Sequence, residues 1–424
     1  MNRIFAAFIL IAFATGAGRE LSGTTGVMTA MSQAVIDASR AAVELALGLV
    51  GVMAFFLGLM KIAEQGGLLT ATARLIAPLM RRLFPEVPPQ HPAMGAMIMN
   101  FSANLLGLGN AATPFGIRAM QELDRLNPHP GVATDAMVRL LAINTSGLAL
   151  LPTGVIALRA AAGSIEPAAI LPTTLFATTC ATLVAIFLTP LLARFYPAPR
   201  PTPPVVTYSS EAHVCEETPP LAPLPRWVGW TVALAFVALI AASVRHGQIV
   251  SAWIVPTLVV GFIVYGLARG VAVYESFVDG AKEGFQVALR IIPYLVAILA
   301  ATALLRASGA LPFFVSLLAP ITGPLGLPAE VLPMAILRPL SGSGAFALLA
   351  DLLKDPNVGP DSYAGWLAST IQGSTETTFY VLAVYFGAVG IKKMRHAIAA
   401  GLAADLAGVI AAVFICSWLY PGAA

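Results

Sequence analysis

Long apolar runs broken by short polar clusters set the pattern of this chain. Ala41 to Met60 is the first clear run. At about 1.5 Å of rise per residue it is long enough to cross the hydrocarbon core of a bilayer. Lys61, Arg74, Arg81 and Arg82 follow, around an amphipathic stretch from Leu68 to Leu83 that predicts a helix lying along the membrane interface. Met94 to Gly116 is too polar and too rich in glycine for a lipid-facing helix and predicts a broken or re-entrant segment. Such backbone is tolerated at membrane depth only where protein or water satisfies its polar groups. The charged helix from Phe115 to Leu126 then returns the chain to the side it left. Leu140 to Leu158 reads as a further crossing with Asn144-Thr-Ser-Gly147 and Pro152-Thr-Gly154 in its middle, and Pro167 to Leu192 as the last span of this half.

Residues 197 to 225 hold nine prolines, Glu211, Glu216, Glu217 and His213 without apolar periodicity, the pattern of a linker. Two plain spans follow, Trp227 to Ala242 and Val250 to Leu267, with Arg226, Trp227 and Trp230 at an interface. The second half carries its own broken segment, Leu337 to Phe346, and an apolar stretch from Ile371 to Gly387 that opens with a run of hydrogen-bonding side chains. At the amino terminus, Arg3 followed by Ile4 to Ala14 has the charge and length of a signal sequence; we read it as a retained short anchor.

Composition agrees with the pattern. With 58% hydrophobic and 11% charged residues, the chain is far from the roughly one-quarter charged residues of soluble domains. A net charge of +3 gives no case for nucleic acid. Cys180, Cys215 and Cys416 lie far apart, with neither a disulfide framework nor zinc-ligand spacing, so no metal is expected. Enzymatic readings find little support: the glycine patterns at Gly107 and Gly342 follow no strand of a βαβ unit, and no lysine completes a phosphate loop. The five histidines read as surface residues, and no cofactor is implied.

Internal matches divide the chain into two copies. Shifted by 242 residues, Asp37 meets Asp279, Ala46-Leu47 meets Ala288-Leu289, Gly67 meets Gly309, and Ala77-Pro78 meets Ala319-Pro320. Shifted by 228, Ile143-Asn-Thr-Ser146 meets Ile371-Gln-Gly-Ser374, and Ile170 meets Ile398. The positive charge is reversed between them. Residues 61 to 90 hold Lys61, Arg74, Arg81 and Arg82, while 303 to 332 hold only Arg306; residues 388 to 397 hold Lys392, Lys393 and Arg395, while 160 to 169 hold no lysine or arginine. The positive-inside rule therefore inserts the copies in opposite senses, with the amino terminus and the linker cytoplasmic and the carboxyl terminus outside. Opposed copies with broken helices meeting at the midplane are the plan of secondary transporters. The fold class expected is an all-α polytopic membrane protein with two inverted repeats. Its domains run 1–196, 197–225 (linker) and 226–424, with the repeats starting near 35 and 275.

Glu376 is the residue around which a site can be built. An ionisable group at bilayer depth costs about 2.5 kcal/mol or more and by default faces a cavity or a partner. Thr375, Thr377 and Thr378 can bond back to their own helix, whereas Gln372 and Glu376 need partners elsewhere; Ser374 completes the cluster. In the second broken segment Pro339 removes a backbone donor and Ser341, Gly342 and Ser343 allow close backbone approach. Arg338 is either the counter-charge of Glu376 or a clamp for an anionic solute. The first copy offers Asn100, Ser102 and Asn104, with Asn144, Thr145 and Ser146 at the repeat of the Glu376 motif. Its asparagines either line the site or satisfy backbone groups freed by the breaks.

These residues carry a resemblance. Gly58-Leu-Met-Lys-Ile-Ala-Glu64, His91-Pro-Ala-Met-Gly-Ala-Met97 and Asn104-Leu-Leu-Gly-Leu-Gly-Asn-Ala-Ala-Thr-Pro-Phe-Gly116 in the first half resemble the spore maturation protein A family. Tyr274-Glu-Ser-Phe-Val-Asp-Gly-Ala-Lys-Glu-Gly284, Arg338-Pro-Leu-Ser-Gly-Ser-Gly344 and Gly373-Ser-Thr-Glu-Thr-Thr-Phe-Tyr380 in the second resemble spore maturation protein B. The resemblance implies the gate, or nucleoside recognition, domain and a role in spore or envelope maturation. Gly373-Ser-Thr-Glu376 is similar to a hairpin-site motif of concentrative nucleoside transporters, which carries Thr375 and Glu376 across. The function expected is an inner-membrane transporter-like protein moving a small polar solute, coupled to a proton or a sodium ion, with room for self-association into a homo-oligomer. The competing expectation is a non-transporting envelope scaffold, for which the centre would be sealed and apolar with Glu376 paired internally.

Overall fold

The computed structural model describes residues 2–197, 231, 234, 238 and 247–420. The expected linker beyond residue 197 and most of the Trp227–Ala242 span lie outside the described residues. Every regular element named here is helical: α1 (Asn2–Leu21), α2 (Val27–Gln65), α3 (Leu68–Leu83), α4 (Pro92–Leu105), α5 (Gly109–Arg125), α6 (Asp135–Thr145), α7 (Thr153–Ala161) and α8 (Leu171–Ala193) in the first half. The second half holds α9 (Gly247–Ala268), α10 (Val273–Ala307), α11 (Ala310–Thr322), α12 (Leu332–Leu337), α13 (Gly342–Lys354), α14 (Tyr363–Ser374), α15 (Thr378–Ala388) and α16 (Ala397–Leu419). Val27–Gln65, Pro167–Ala193 and Ala397–Leu419 are long and apolar enough to cross a membrane, and α10 and α11 add a broken fourth candidate bent by 79°.

The two halves repeat the same order of elements: a long helix, a short one, a hairpin, a broken helix and a final span. The joint between the first two is a left-handed glycine in both copies, Gly67 at φ 81° and Gly309 at φ 84°. The following helices α3 and α11 carry a proline at the equivalent internal position, Pro78 and Pro320. In α3, Arg74, Arg81 and Arg82 stay exposed while Thr72, Ala73, Ala77 and Met80 are buried, which gives the helix the amphipathic face expected of it.

Equivalent helices of the two copies pack side by side and antiparallel. Along α2 and α10, Lys61 pairs with Glu283 at 3.0 Å, and Gln65 accepts a hydrogen bond from Ser276. The backbones nearly touch: a Cβ on Gly280 would lie 2.5 Å from the Leu57 carbonyl oxygen, and one on Gly284 2.6 Å from Ala54 Cα. Small residues four apart allow this approach, the means by which helices associate without a hydrophobic drive in lipid. Along α8 and α16, Phe176 stacks on Phe414 near one end and Tyr196 lies 6.2 Å from His396 at the other. The copies are thus inverted relative to each other.

The broken helices obey the same relation. At one end Arg395 pairs with Asp135 at 2.6 Å, and Ala133 N–H donates to the Lys393 carbonyl at 3.0 Å. At the other, Arg159 pairs with Asp361 at 2.9 Å and also donates to Ser164 at 3.1 Å. Each copy therefore contributes one arginine and one aspartate, to opposite ends. Arg159 is fully buried over the Trp366 ring, 4.8 Å from its centroid.

Two readings of the sequence are corrected. Leu140–Leu158 is not one continuous crossing: the helix stops after Thr145, turns through Gly147 at φ 63°, and restarts at Thr153 behind Pro152. His396 is not a surface residue; it is buried beside Tyr196 with neither ring nitrogen hydrogen-bonded among the described residues, and burial holds its pKa below the ordinary histidine value. His91 instead accepts a hydrogen bond from Ala93 N–H and caps α4.

Candidate solute site where the broken helices cross

The break in α6–α7 and the break in α14–α15 meet at the middle of the fold. Glu376 N–H donates to the Thr145 carbonyl at 2.8 Å, and a Cβ on Gly147 would fall 2.8 Å from the Thr375 carbonyl carbon. Each hairpin reaches the same crossing by the same bond. Leu150 N–H donates to Leu105 at 2.8 Å in the first copy, and Phe379 N–H to Pro339 at 3.0 Å in the second. Four helix ends thus bring their unsatisfied backbone groups together, where side chains must complete them.

Arg338 does this in the second copy. It is 5% exposed, donates to Thr377 Oγ1 at 3.1 Å and to the Thr375 carbonyl, and lies 3.7 Å from a Glu376 carboxylate oxygen. It fixes the extended backbone between α14 and α15 by charge-assisted bonds. Glu376 itself is 55% exposed although Thr375 and Thr377 beside it are buried. Its carboxylate therefore points into open space from the centre of the crossing.

Polar side chains line the first copy's face. Asn104 donates to Asn144 Oδ1 at 2.7 Å; Asn100 donates to the Ala112 carbonyl at 2.8 Å and to Tyr385 Oη at 3.2 Å. Asn100 thus serves the hairpin backbone and reaches across to α15. A Cβ on Gly116 would strike the Tyr385 hydroxyl, so glycine there makes room for it. Thr145 and Ser146 bond back to Ala142 and Ile143, and Ser146 also meets Thr182 at 2.8 Å. Ser102 bonds back to Ile98 within α4. Ser374 and Thr375 bond back to Ile371. Ser341 caps α13 by accepting from Gly344 N–H at 3.1 Å, and Ser343 sits half-buried in the first turn of that helix. Gln372 is buried with its Oε1 unpartnered among the described residues.

Thr377 and Thr378 behave differently from the back-bonding expected of them. Thr377 accepts from Arg338, and Thr378 donates to Asp405 at 2.6 Å on α16. Sequence reasoning passed over both Tyr385 and Asp405. Asp405 carried a usable signal, being the single charged residue of α16.

This geometry defines a polytopic α-helical membrane protein with two inverted sets of helices whose breaks meet among polar side chains. The chain belongs to the Gate, or nucleoside recognition, family, whose model matches residues 46–195 and 288–392. It is 51% identical to spore maturation protein B of Bacillus subtilis over 169 residues, 40% of this chain and 94% of that protein. It is 44% identical to spore maturation protein A of the same organism over 163 residues, 38% of this chain and 83% of that protein. Among solved structures, a doubly substituted CNTnw in an outward-facing state aligns over 99% of this chain and 92% of its own, at 16% identity and a TM-score of 0.47.

Proposed function

We propose that the protein moves a small polar solute across a bacterial inner membrane by alternating access between its two inverted repeats, with Glu376 binding the solute or a coupling proton or sodium ion. The observation that carries this reading is the half-exposed Glu376 carboxylate, held 3.7 Å from the buried Arg338 at the crossing of the broken helices. A scaffold would need a sealed centre, and an exposed ionisable side chain at a helix break serves no packing purpose. The opposed ion pairs at the two ends, Arg395 with Asp135 and Arg159 with Asp361, suit a structure that loosens at one face while staying joined at the other.

In this reading the domains are a first half to residue 196, a cytoplasmic linker, and a second half from 226. The basic end, with Lys392, Lys393 and Arg395, faces the cytoplasm and the Asp361 end faces outside. The names of its relatives support a role for this transport in spore maturation. The test is uptake by proteoliposomes of radiolabelled nucleosides, amino acids and carboxylic acids, preceded by a thermal-shift screen of the same compounds, because a ligand stabilises the state it binds. Glu376→Gln should abolish uptake of any compound that stabilises the wild type. Unchanged uptake in that variant would remove Glu376 from the mechanism.

A further inference from the structure

Asp405 lies within α16, a helix long and apolar enough to cross a membrane, and is 4% exposed. Its Oδ2 accepts one hydrogen bond, from Thr378 at 2.6 Å; its Oδ1 has no partner among the described residues. A carboxylate in such a place needs either several donors or a counter-charge, and without them it takes up a proton instead. The helices packed on α16 are α6, α8, α14 and α15. Their titratable groups are Asp135 and Arg139 on α6, Cys180 on α8, Tyr363 on α14, and Tyr380 and Tyr385 on α15. Asp135 is taken by Arg395 and Arg139 by Glu86, at the basic end. Arg338 and Glu376 meet Asp405 through one short segment: Arg338 donates to Thr377 and lies 3.7 Å from Glu376, and the next residue, Thr378, donates to Asp405.

These three groups make an uneven set: one cation and two acids in a low-dielectric centre. While Arg338 is matched by Glu376, Asp405 is the surplus negative charge. We propose that Asp405 is a proton-binding site coupled to the gate: it is a neutral carboxylic acid while Glu376 neutralises Arg338, and it releases its proton to water when Glu376 leaves Arg338. Asp405 then becomes the counter-ion of Arg338. The balance is simple, Asp–COOH giving Asp–COO⁻ and one proton, with the core left at zero net charge in both states. A metal cation does not suit the same position: Asp405 has a single hydroxyl partner, Thr378, where a hard cation takes about six oxygen ligands and a proton needs none. The inference deepens the transport reading by naming the coupling ion; it rests on that reading for its purpose, but its test does not measure transport.

The test is infrared spectroscopy of the purified protein in lipid at neutral pH, reading the carbonyl stretch of protonated carboxylic acids. The wild type should show a band that Asp405→Asn removes. Glu376→Gln strips Arg338 of its partner, so the Asp405 band should fall by at least half there while total carboxylate absorption holds level, the new Asp405 carboxylate replacing the one lost at Glu376. A band unchanged in Asp405→Asn shows that Asp405 does not hold the proton and overturns the proposal. A band lost in Asp405→Asn but intact in Glu376→Gln overturns the exchange with Arg338. Either result leaves the uptake test of Glu376 untouched, and a transport failure leaves the band untouched.

Discussion

Replacing Gly147 by alanine strikes the point on which the two copies cross. Gly147 has φ 63°, and its added Cβ would lie 2.8 Å from Thr375 C, 2.9 Å from Thr375 Cα and 3.1 Å from Glu376 N. All three are backbone atoms and none can rotate aside. The left-handed conformation alone costs a residue with a Cβ about 1–2 kcal/mol. Forcing a methyl into a filled site adds about 1–3 kcal/mol. Gly163→Ala separates the two terms, since Gly163 has φ 81° with nothing within 4 Å of its added Cβ. Thermal unfolding of the two variants in the same detergent should therefore place Gly147→Ala below Gly163→Ala by about 1–3 kcal/mol, the crossing term. Equal losses would refute the close approach of the two breaks.

The paired ends should respond unequally. Asp361→Ala leaves the fully buried Arg159 without its counter-charge and should cost about 3 kcal/mol in thermal unfolding; Asp135 is 49% exposed, and Asp135→Ala should cost under about 1 kcal/mol. Tyr385→Phe removes one of the two acceptors of Asn100 and should cost about 1 kcal/mol by the same measurement. Glu20 accepts backbone N–H bonds from Gly26 at 3.0 Å and Met28 at 3.1 Å, and these hold its pKa below the ordinary value. Because the folded pKa is the lower one, this contribution is present above the ordinary glutamate range and is lost as pH falls through the folded value. Protection factors at Gly26 and Met28, taken relative to the intrinsic exchange rate at each pH, should fall on that acidification in the wild type and not in Glu20→Ala.

Much of this was legible in the residues, for identifiable reasons. Hydropathy marks spans because lipid offers no alternative partner for the backbone, and so the Leu68–Leu83 helix, a broken segment within Met94–Gly116 and the order of repeats could be read directly. The reversal of lysine and arginine between copies foretold an inversion that the antiparallel α2–α10 and α8–α16 pairs display. The break between Ser146 and Pro152 was harder to place, because its flanks are as apolar as a continuous span and one glycine decides it. Arg338 and Glu376 could be matched across 37 intervening positions because each was costly alone. Asp405 escaped because its helix offers no motif around it, although the same cost argument applied. Tyr385 gave no signal at all: an aromatic residue in an apolar run is indistinguishable from core until Asn100 and Asn144 fold against its hydroxyl.

The inversion of the copies is most directly tested by labelling from each side of the membrane. Ile165 and Lys393 are equivalent positions, 228 residues apart, and both are exposed. With the native cysteines removed, Ile165→Cys in intact cells should react with a membrane-impermeant thiol reagent, and Lys393→Cys should react only after the membrane is opened. Reaction of both from the same face would contradict the inverted arrangement on which the site depends.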